Sequence, residues 1–148
     1  MSTIPSARGA APLAQRRILV VEDEALIGMM IEDGLREAGA IVLGPVASLR
    51  DALRLVETAM ADGGIDAGVL DLNLAGELVL PVADALVGHG VPFLVATGYG
   101  EEGLTEPHAD IPVLRKPFLP QELLVTIQEL VEGSAVQGSA SSASAASG

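Results

Sequence analysis

The sequence contains no cysteine and no tryptophan, and its aromatic residues are only Phe93, Tyr99 and Phe118. Without cysteine the chain can form neither a disulfide nor a thiolate metal site, which fits a reducing compartment such as the cytoplasm. Because aromatic side chains are so few, the core must be built from Val, Leu, Ile, Met and Ala. With 49% hydrophobic residues, the chain has enough of these to bury a sizeable interior.

Positive charge and long apolar runs are also scarce. The 148 residues include 8 Lys and Arg against 20 Asp and Glu, giving a formal net charge of -12. Nucleic-acid affinity comes largely from clustered Lys and Arg, so direct binding to DNA or RNA is disfavoured. No run approaches the roughly 18 apolar residues that span a bilayer, and no signal-peptide pattern precedes Arg16. The sequence therefore predicts a cytoplasmic protein with no membrane contact.

The chain is predicted to hold one domain between two low-complexity ends. Residues 1–15 mix Ala, Pro and Ser without periodicity, and residues 133–148 are almost wholly Ser, Ala and Gly. Neither end can offset its ordering entropy by burial, so both are predicted to be disordered tails. Residues 16–132 form the predicted domain, which is near the commonest domain size, and no internal repeat or second domain is visible.

Strand and helix patterns alternate through this domain. Short apolar runs typical of strands buried on both faces are separated by segments whose apolar residues recur at helical spacing. The alternation predicts an α/β fold with a sheet of five parallel strands and helices on both faces. Residues 98–111, rich in glycine and proline, break the pattern, so this irregular segment is a candidate switch. The predicted strands are 18–21, 41–43, 67–72, 92–96 and 113–115, and the predicted helices are 25–38, one capped by Ser48, 81–87 and 120–131.

Polar side chains follow the predicted strands at the points where they end. Glu22 and Asp23 follow the first strand and Asp71 ends the third. Thr97 follows the fourth strand and Lys116 follows the fifth. Each residue alone could be a turn or cap residue. Because the carboxyl ends of parallel strands meet at one edge of the sheet, the five together predict a shared site.

The charges at this edge indicate phosphoryl chemistry. Three crowded carboxylates repel one another, and a bound cation relieves the repulsion; oxygen ligands favour Mg²⁺. With a reference pKa of about 3.9, Asp71 is expected to be ionised at neutral pH and able to attack phosphorus without a general base. Mg²⁺ and the Lys116 ammonium would neutralise charge as bonds change, and Thr97 offers a hydroxyl to a phosphoryl oxygen. Zinc is disfavoured because His89 and His108 are far apart in sequence.

Through these residues the sequence resembles the receiver domains of two-component response regulators. The resemblance covers about residues 17–131 and implies a doubly wound, flavodoxin-like fold with the strand order 2-1-3-4-5. It implies that Asp71 accepts a phosphoryl group from phosphohistidine on a histidine kinase or a histidine phosphotransfer protein. The segments that carry it are Val20-Val21-Glu22-Asp23, Val69-Leu70-Asp71, Ala96-Thr97-Gly98 and Lys116-Pro117-Phe118.

The resemblance also implies a Mg²⁺ site with four contributors. Asp23 would bind the ion directly, Asp71 would also contribute to the site, and Glu22 would act largely through water. The backbone carbonyl of Asn73 would be a further ligand.

Phosphoryl recognition is implied for a second group of residues. Lys116 would pair with the phosphoryl group, and Thr97 would move toward it through the space that Gly98 leaves. Phe118 is expected to be a packing residue. The peptide bond between Lys116 and Pro117 is expected to be cis.

The sequence departs from the family pattern at two positions. Residues 92–100 resemble stand-alone alphaproteobacterial receivers with a Phe-Ala-Thr-Gly signature, but Val95 replaces the Phe. Most receivers carry an aromatic switch residue three positions before the lysine, and here that residue is Val113. Tyr99 is therefore predicted to be the signalling aromatic; the alternative is that it merely covers the sheet edge.

The predicted function is that of a single-domain response regulator rather than an enzyme, with phosphorylation from a donor and slow autodephosphorylation. Phosphorylation would shift the surface formed by the fourth strand, the following helix and the fifth strand, and so signal to a protein effector or a relay. Alternatives are a phosphate sink and a phosphorylation-independent binding module. An Asp-nucleophile phosphatase of the haloacid dehalogenase type would require an acid two residues after Asp71, where Asn73 stands.

Overall fold

The computed structural model describes residues 11–98 and 111–147, with side chains as far as Gly133. Residues 1–10 of the predicted tail, residues 99–110 of the candidate switch and the predicted signalling residue Tyr99 lie outside the described residues.

The strands form one parallel sheet and one small hairpin. They are β1 Arg17–Val21, β2 Ile41–Val46, β3 Ala67–Asp71, β4 Asn73–Leu74, β5 Glu77–Leu78, β6 Phe93–Thr97 and β7 Val113–Arg115. In the sheet the order is β2-β1-β3-β6-β7, and all four pairings are parallel. Counted along the chain, these five strands have the order 2-1-3-4-5, which confirms the predicted doubly wound architecture. β4 and β5 pair antiparallel directly after β3, and the sequence did not predict this hairpin.

Four helices are present in the described part of the chain, and local signals explain where two of them start. The helices are α1 Ala25–Glu37, α2 Leu49–Ala61, α3 Leu80–Gly88 and α4 Pro120–Ser147. The Ser48 hydroxyl accepts a hydrogen bond from the amide of Asp51 at 3.1 Å, capping α2 as predicted. Pro81 lies in the first turn of α3, where its missing N–H costs nothing. None of these helices combines the length and the apolar character that a membrane span requires.

The sheet is buried on both faces because successive strand residues point to opposite sides. Leu19 and Leu70 pack with the buried side chains of α2 and α3 on one face. Val20 and Val69 pack with those of α1 and α4 on the other. The two cores explain why the central strands are continuous apolar runs.

Residues 11–15 form a turn that packs on the domain, although the sequence predicts a disordered tail there. Leu13 is only 1% exposed within the core under α1, and its amide donates to the carbonyl of Ala38 at 2.8 Å. Gly39 has a φ of +92°, and a Cβ there would lie 2.6 Å from the Cβ of Ala11. A single buried leucine has no periodicity, so the pattern of the sequence could not reveal this contact.

α4 continues to Ser147 rather than ending at residue 131 as predicted. The backbone of residues 133–147 is therefore helical where the sequence predicts a disordered tail. Val131 is the last buried side chain described on this helix. The prediction weighed only the lack of apolar residues for burial, whereas the many alanines of this segment favour helix.

Candidate functional site

The carboxyl ends of β1, β3, β6 and β7 bring the predicted site residues to one edge. The register aligns Val21 with Leu70, so the segment that follows β1 lies beside the end of β3. Asp71 is aligned with Ala96, and the Lys116 amide donates to the Thr97 carbonyl at 2.8 Å. The sheet thus assembles at one place residues that are up to 94 positions apart in the chain.

Three carboxylates meet at this edge. Glu22, Asp23 and Asp71 each place an oxygen within 4.8 Å of the others. Glu22 and Asp71 are 4% exposed, and Asp23 is half-buried. The buried Oε1 of Glu22 has no hydrogen-bond partner among the described residues. Crowded oxygen ligands and an unsatisfied buried carboxylate oxygen fit a hard divalent cation such as Mg²⁺.

The Lys116 ammonium lies among these acids. Its Nζ is 3.1 Å from Glu22 Oε2, 3.2 Å from Glu24 Oε2 and 3.4 Å from Asp71 Oδ2. Burial alone would lower the pKa of Lys116, but the hydrogen bond and charge of Glu22, with help from Asp71 and Glu24, raise it above its usual value. Lys116 is therefore a fixed positive charge. Its peptide bond to Pro117 is cis, as the resemblance led us to expect.

The environment of Asp71 changes its protonation. The pKa of Asp71 is raised from 3.8 to about 8. Burial is the largest cause, followed by side-chain hydrogen bonds with Asp23 and Glu22 and by the charge of Glu22, while the charge of Lys116 acts in the opposite direction. The expectation that Asp71 is ionised at neutral pH is therefore wrong for the site without a cation. The reference pKa omits both the desolvation and the two neighbouring acids.

The hairpin after β3 holds the chain beside Asp71. The Asn73 amide lies 3.4 Å from Asp71 Oδ1, and the Asn73 side-chain oxygen accepts a hydrogen bond from the Gly76 amide at 2.7 Å. Ala75 and Gly76 both have positive φ, 51° and 96°, which gives the tight reversal between β4 and β5. Metal binding by the Asn73 carbonyl stays a prediction.

The remaining predicted residues occupy the β6 and β7 ends. Thr97 is 2% exposed and ends β6, and Gly98 follows it half-buried. Phe118 is 7% exposed in the core beside α4, which confirms its packing role. Val113 is 43% exposed, so an aliphatic side chain occupies the surface position where the family usually has an aromatic. The switching role of Thr97 stays a prediction.

Sequence reasoning missed Glu24. Its carboxylate lies 3.2 Å from Lys116 Nζ, and its amide donates to Glu22 Oε2 at 3.1 Å. The signal was the run of three acids after β1, from which only the first two were assigned to the site.

Comparisons with known proteins agree with this architecture, although no protein-family model matches the chain. The chain is 42% identical to SdrG from Sphingomonas melonis Fr1, with a TM-score of 0.65 over 78% of this chain and 97% of that one. It is 28% identical to the PhyR response regulator REC domain from Erythrobacter litoralis, with a TM-score of 0.67 over 80% of this chain and 91% of that one.

A curated relative is longer than this chain. The transcriptional regulatory protein PdtaR from Mycobacterium tuberculosis is 28% identical over 117 residues, which are 76% of this chain and 55% of that protein. The chain thus spans about half the length of the curated relative that it matches. The similarity to SdrG, in contrast, extends over nearly all of that protein at 42% identity, with the same fold. The chain belongs to the receiver domains of two-component response regulators.

Proposed function

We propose that this protein acts as a response regulator that accepts a phosphoryl group on Asp71 from a phosphohistidine donor. The observation that carries the proposal is the buried Asp71 carboxylate, which lies within 4.8 Å of carboxylate oxygens of Glu22 and Asp23 and 3.4 Å from the Lys116 ammonium. A lone buried acid would only destabilise the fold. The same acid beside a cation-binding set and a fixed ammonium is suited to receive a phosphoryl group.

The transfer needs an ionised Asp71. Mg²⁺, held by Asp71 and Asp23 with Glu22 nearby, would favour the carboxylate form and neutralise charge on the phosphoryl oxygens. A carboxylate oxygen of Asp71 then forms a bond to phosphorus while the phosphorus–nitrogen bond of the donor breaks. The electron pair of that bond returns to the imidazole nitrogen, so the histidine leaves as a neutral ring when its other nitrogen carries a proton.

The neighbouring residues would stabilise the product. Lys116 would donate a hydrogen bond to a phosphoryl oxygen, and the buried Thr97 hydroxyl would offer another. Gly98 leaves space for that approach. These interactions would shift the end of β6 and the segment after it, and so signal through the surface around β6 and β7.

The expected partners are proteins. A histidine kinase or a histidine phosphotransfer protein would supply the phosphoryl group, and an effector or a relay protein would read the phosphorylated surface. The net charge of -12 argues against nucleic acid as the reader. The absence of cysteine fits action in the cytoplasm. We expect slow autodephosphorylation rather than turnover of a substrate.

Phosphotransfer from candidate histidine kinases and phosphotransfer proteins tests this function. Labelling of the wild-type protein should depend on Mg²⁺ and disappear in Asp71→Asn. Asp62→Asn is a matched control because Asp62 is an exposed aspartate that follows α2 at the opposite edge of the sheet. Labelling that survives in Asp71→Asn would remove Asp71 from its proposed role. Equal labelling of wild type with Mg²⁺ and with chelator would show that the cation has no role in the transfer.

A further inference from the structure

The two carboxylate oxygens of Glu22 have different surroundings. Oε2 accepts hydrogen bonds from the Lys116 ammonium and from the Glu24 amide, both at 3.1 Å. Oε1 is buried and has no hydrogen-bond partner among the described residues. A buried carboxylate oxygen in this state is unfavourable, because it has lost its water without gaining a donor or a cation. Oε1 is therefore the oxygen at which Glu22 can take a ligand.

Contacts on several sides hold Glu22 in place. Its amide donates to the Val46 carbonyl at 2.9 Å, which ties its backbone to the end of β2. Its side chain runs beside Gly28 of α1, where an added Cβ would lie 3.8 Å from the Glu22 Cγ and 3.5 Å from Pro45. Because Oε2 is also held by two donors, the carboxylate cannot turn toward solvent without losing these hydrogen bonds. The Glu22 side chain is accordingly only 1% exposed.

This burial bears on how Glu22 can reach a cation. The family resemblance implies that Glu22 acts largely through water. Such a link needs a water molecule against the oxygen, at a hydrogen-bond distance of about 2.7–2.8 Å, with the ion beyond it. Mg²⁺ in direct contact with an oxygen lies at about 2.0–2.1 Å and takes the place of that water. The closed surroundings of Oε1 favour the smaller arrangement, in which the ion itself satisfies the oxygen.

The other two acids are close enough to share such an ion. One oxygen each from Glu22, Asp23 and Asp71 lies within 4.8 Å of the others. Ligands on opposite sides of an octahedral Mg²⁺ are about 4.2 Å apart. Small movements of the side chains would therefore bring all three acids into contact with one ion.

We propose that Glu22 is a direct ligand of the divalent cation, through Oε1, rather than a residue that acts through water. The inference rests on the proposed function, which places Mg²⁺ beside Asp71. A direct bond gives the ion one more protein ligand and one fewer bound water than a link through water would give. The two oxygens of Glu22 then have separate roles, because Oε2 holds Lys116 while Oε1 holds the ion.

The number of water molecules on the bound ion tests this inference. Mn²⁺ is the probe, because it is paramagnetic and prefers the same octahedral oxygen ligands as Mg²⁺. Water enriched in ¹⁷O broadens the electron paramagnetic resonance lines of bound Mn²⁺ to an extent that depends on how many waters are attached to the ion. With the full chain, wild type should show one fewer attached water than each of two Glu22 variants.

The two variants remove the direct bond in different ways. Glu22→Asp keeps the charge but is shorter by about 1.5 Å, so a water can enter between the carboxylate and the ion. Glu22→Gln keeps the length, and its carbonyl oxygen should stay with the donors of Lys116 and Glu24, which turns its NH₂ group toward the ion. An NH₂ group is a donor and cannot bind a cation, so a water should take its place. Glu57→Asp is the matched control, because Glu57 is an exposed acid of α2, and its water count should equal that of wild type.

The outcomes separate this inference from the proposed function. If Glu22→Asp binds Mn²⁺ with the same number of waters as wild type, Glu22 is not a direct ligand and the inference is wrong. Should Glu22→Asp fail to fold, the water count of Glu22→Gln decides by the same criterion. The proposed function survives such a result if phosphotransfer to Asp71 still depends on Mg²⁺. If wild type does not bind Mn²⁺, or if Asp71→Asn binds it equally well with the same number of waters, the cation site beside Asp71 is itself wrong.

Discussion

Magnesium binding to this protein should release a proton from Asp71 near neutral pH. The pKa of Asp71 is about 8 in the site without a cation, so most molecules carry this proton at pH 7. Mg²⁺ binds the ionised carboxylate, and the proton must leave when the ion arrives. With a pKa of about 8, we expect release of about 0.9 proton per Mg²⁺ at pH 7 and about 0.5 at pH 8.

The same competition sets the pH dependence of affinity. Well below pH 8 the ionised fraction of Asp71, the form that Mg²⁺ binds, falls about tenfold with each pH unit, so the apparent Kd should rise about tenfold per unit as the pH falls. Above this range the affinity should become nearly constant. If Asp71 kept its reference pKa of 3.8, it would be ionised throughout, and the Kd for Mg²⁺ would instead stay constant from pH 6 to pH 9.

Isothermal titration calorimetry in buffers of different ionisation enthalpy measures both the Kd and the number of protons released. Asp71→Asn is the essential comparison, because it lacks the titrating carboxyl but keeps His89, His108 and the other acids. Its proton release at pH 7 should be close to zero, and Asp62→Asn should behave as wild type. If wild type releases no more protons than Asp71→Asn, burial and the neighbouring acids do not raise the pKa of Asp71, and the electrostatic account of the site is refuted.

Three further predictions concern stability. In chelator, the free energy of unfolding should fall as the pH rises toward about 8. The raised pKa of Asp71 gives the folded state a bound proton that the unfolded state has already lost above pH 3.8. Urea denaturation at a series of pH values should show this slope in wild type and not in Asp71→Asn. Mg²⁺ at 100 times its Kd should add about 2.7 kcal/mol and raise the melting temperature, and equal melting curves with Mg²⁺ and with chelator would argue against the metal site. Leu13→Ala should cost about 2–5 kcal/mol in urea denaturation because Leu13 is 1% exposed, whereas Leu26→Ala, at a residue that is 81% exposed, should cost far less; equal effects would place residues 11–15 outside the core.

Much of the fold could be predicted because its signals are local. The β1, β3 and β6 strands are buried on both faces, so their sequences are continuous apolar runs that need no knowledge of their neighbours. The Ser48 cap is a contact between residues three positions apart and is visible in the same way. The β4–β5 hairpin was missed because its strands have two residues each, too few for a period to emerge.

The candidate site was predicted in its members but not in its electrostatics. Glu22, Asp23, Asp71, Thr97 and Lys116 could be placed at one edge because parallel strands all end on the same side. Glu24 could not be assigned, because its link to Lys116 joins residues 92 positions apart through a side-chain conformation. The pKa of Asp71 could not be predicted either, because it depends on burial and on distances to other acids.

The sequence by itself determined the order of strands and helices, the family resemblance and the set of residues that converge on the sheet edge. These follow from local periodicity, from turn and cap residues and from the rule that parallel strands share a direction. Only the tertiary structure decided that Leu13 belongs to the core, that the Lys116 ammonium lies within 3.4 Å of three acids and that burial and neighbouring acids raise the pKa of Asp71. The physical reason is that desolvation and Coulomb interactions act through space between groups whose separation along the chain carries no record of their distance.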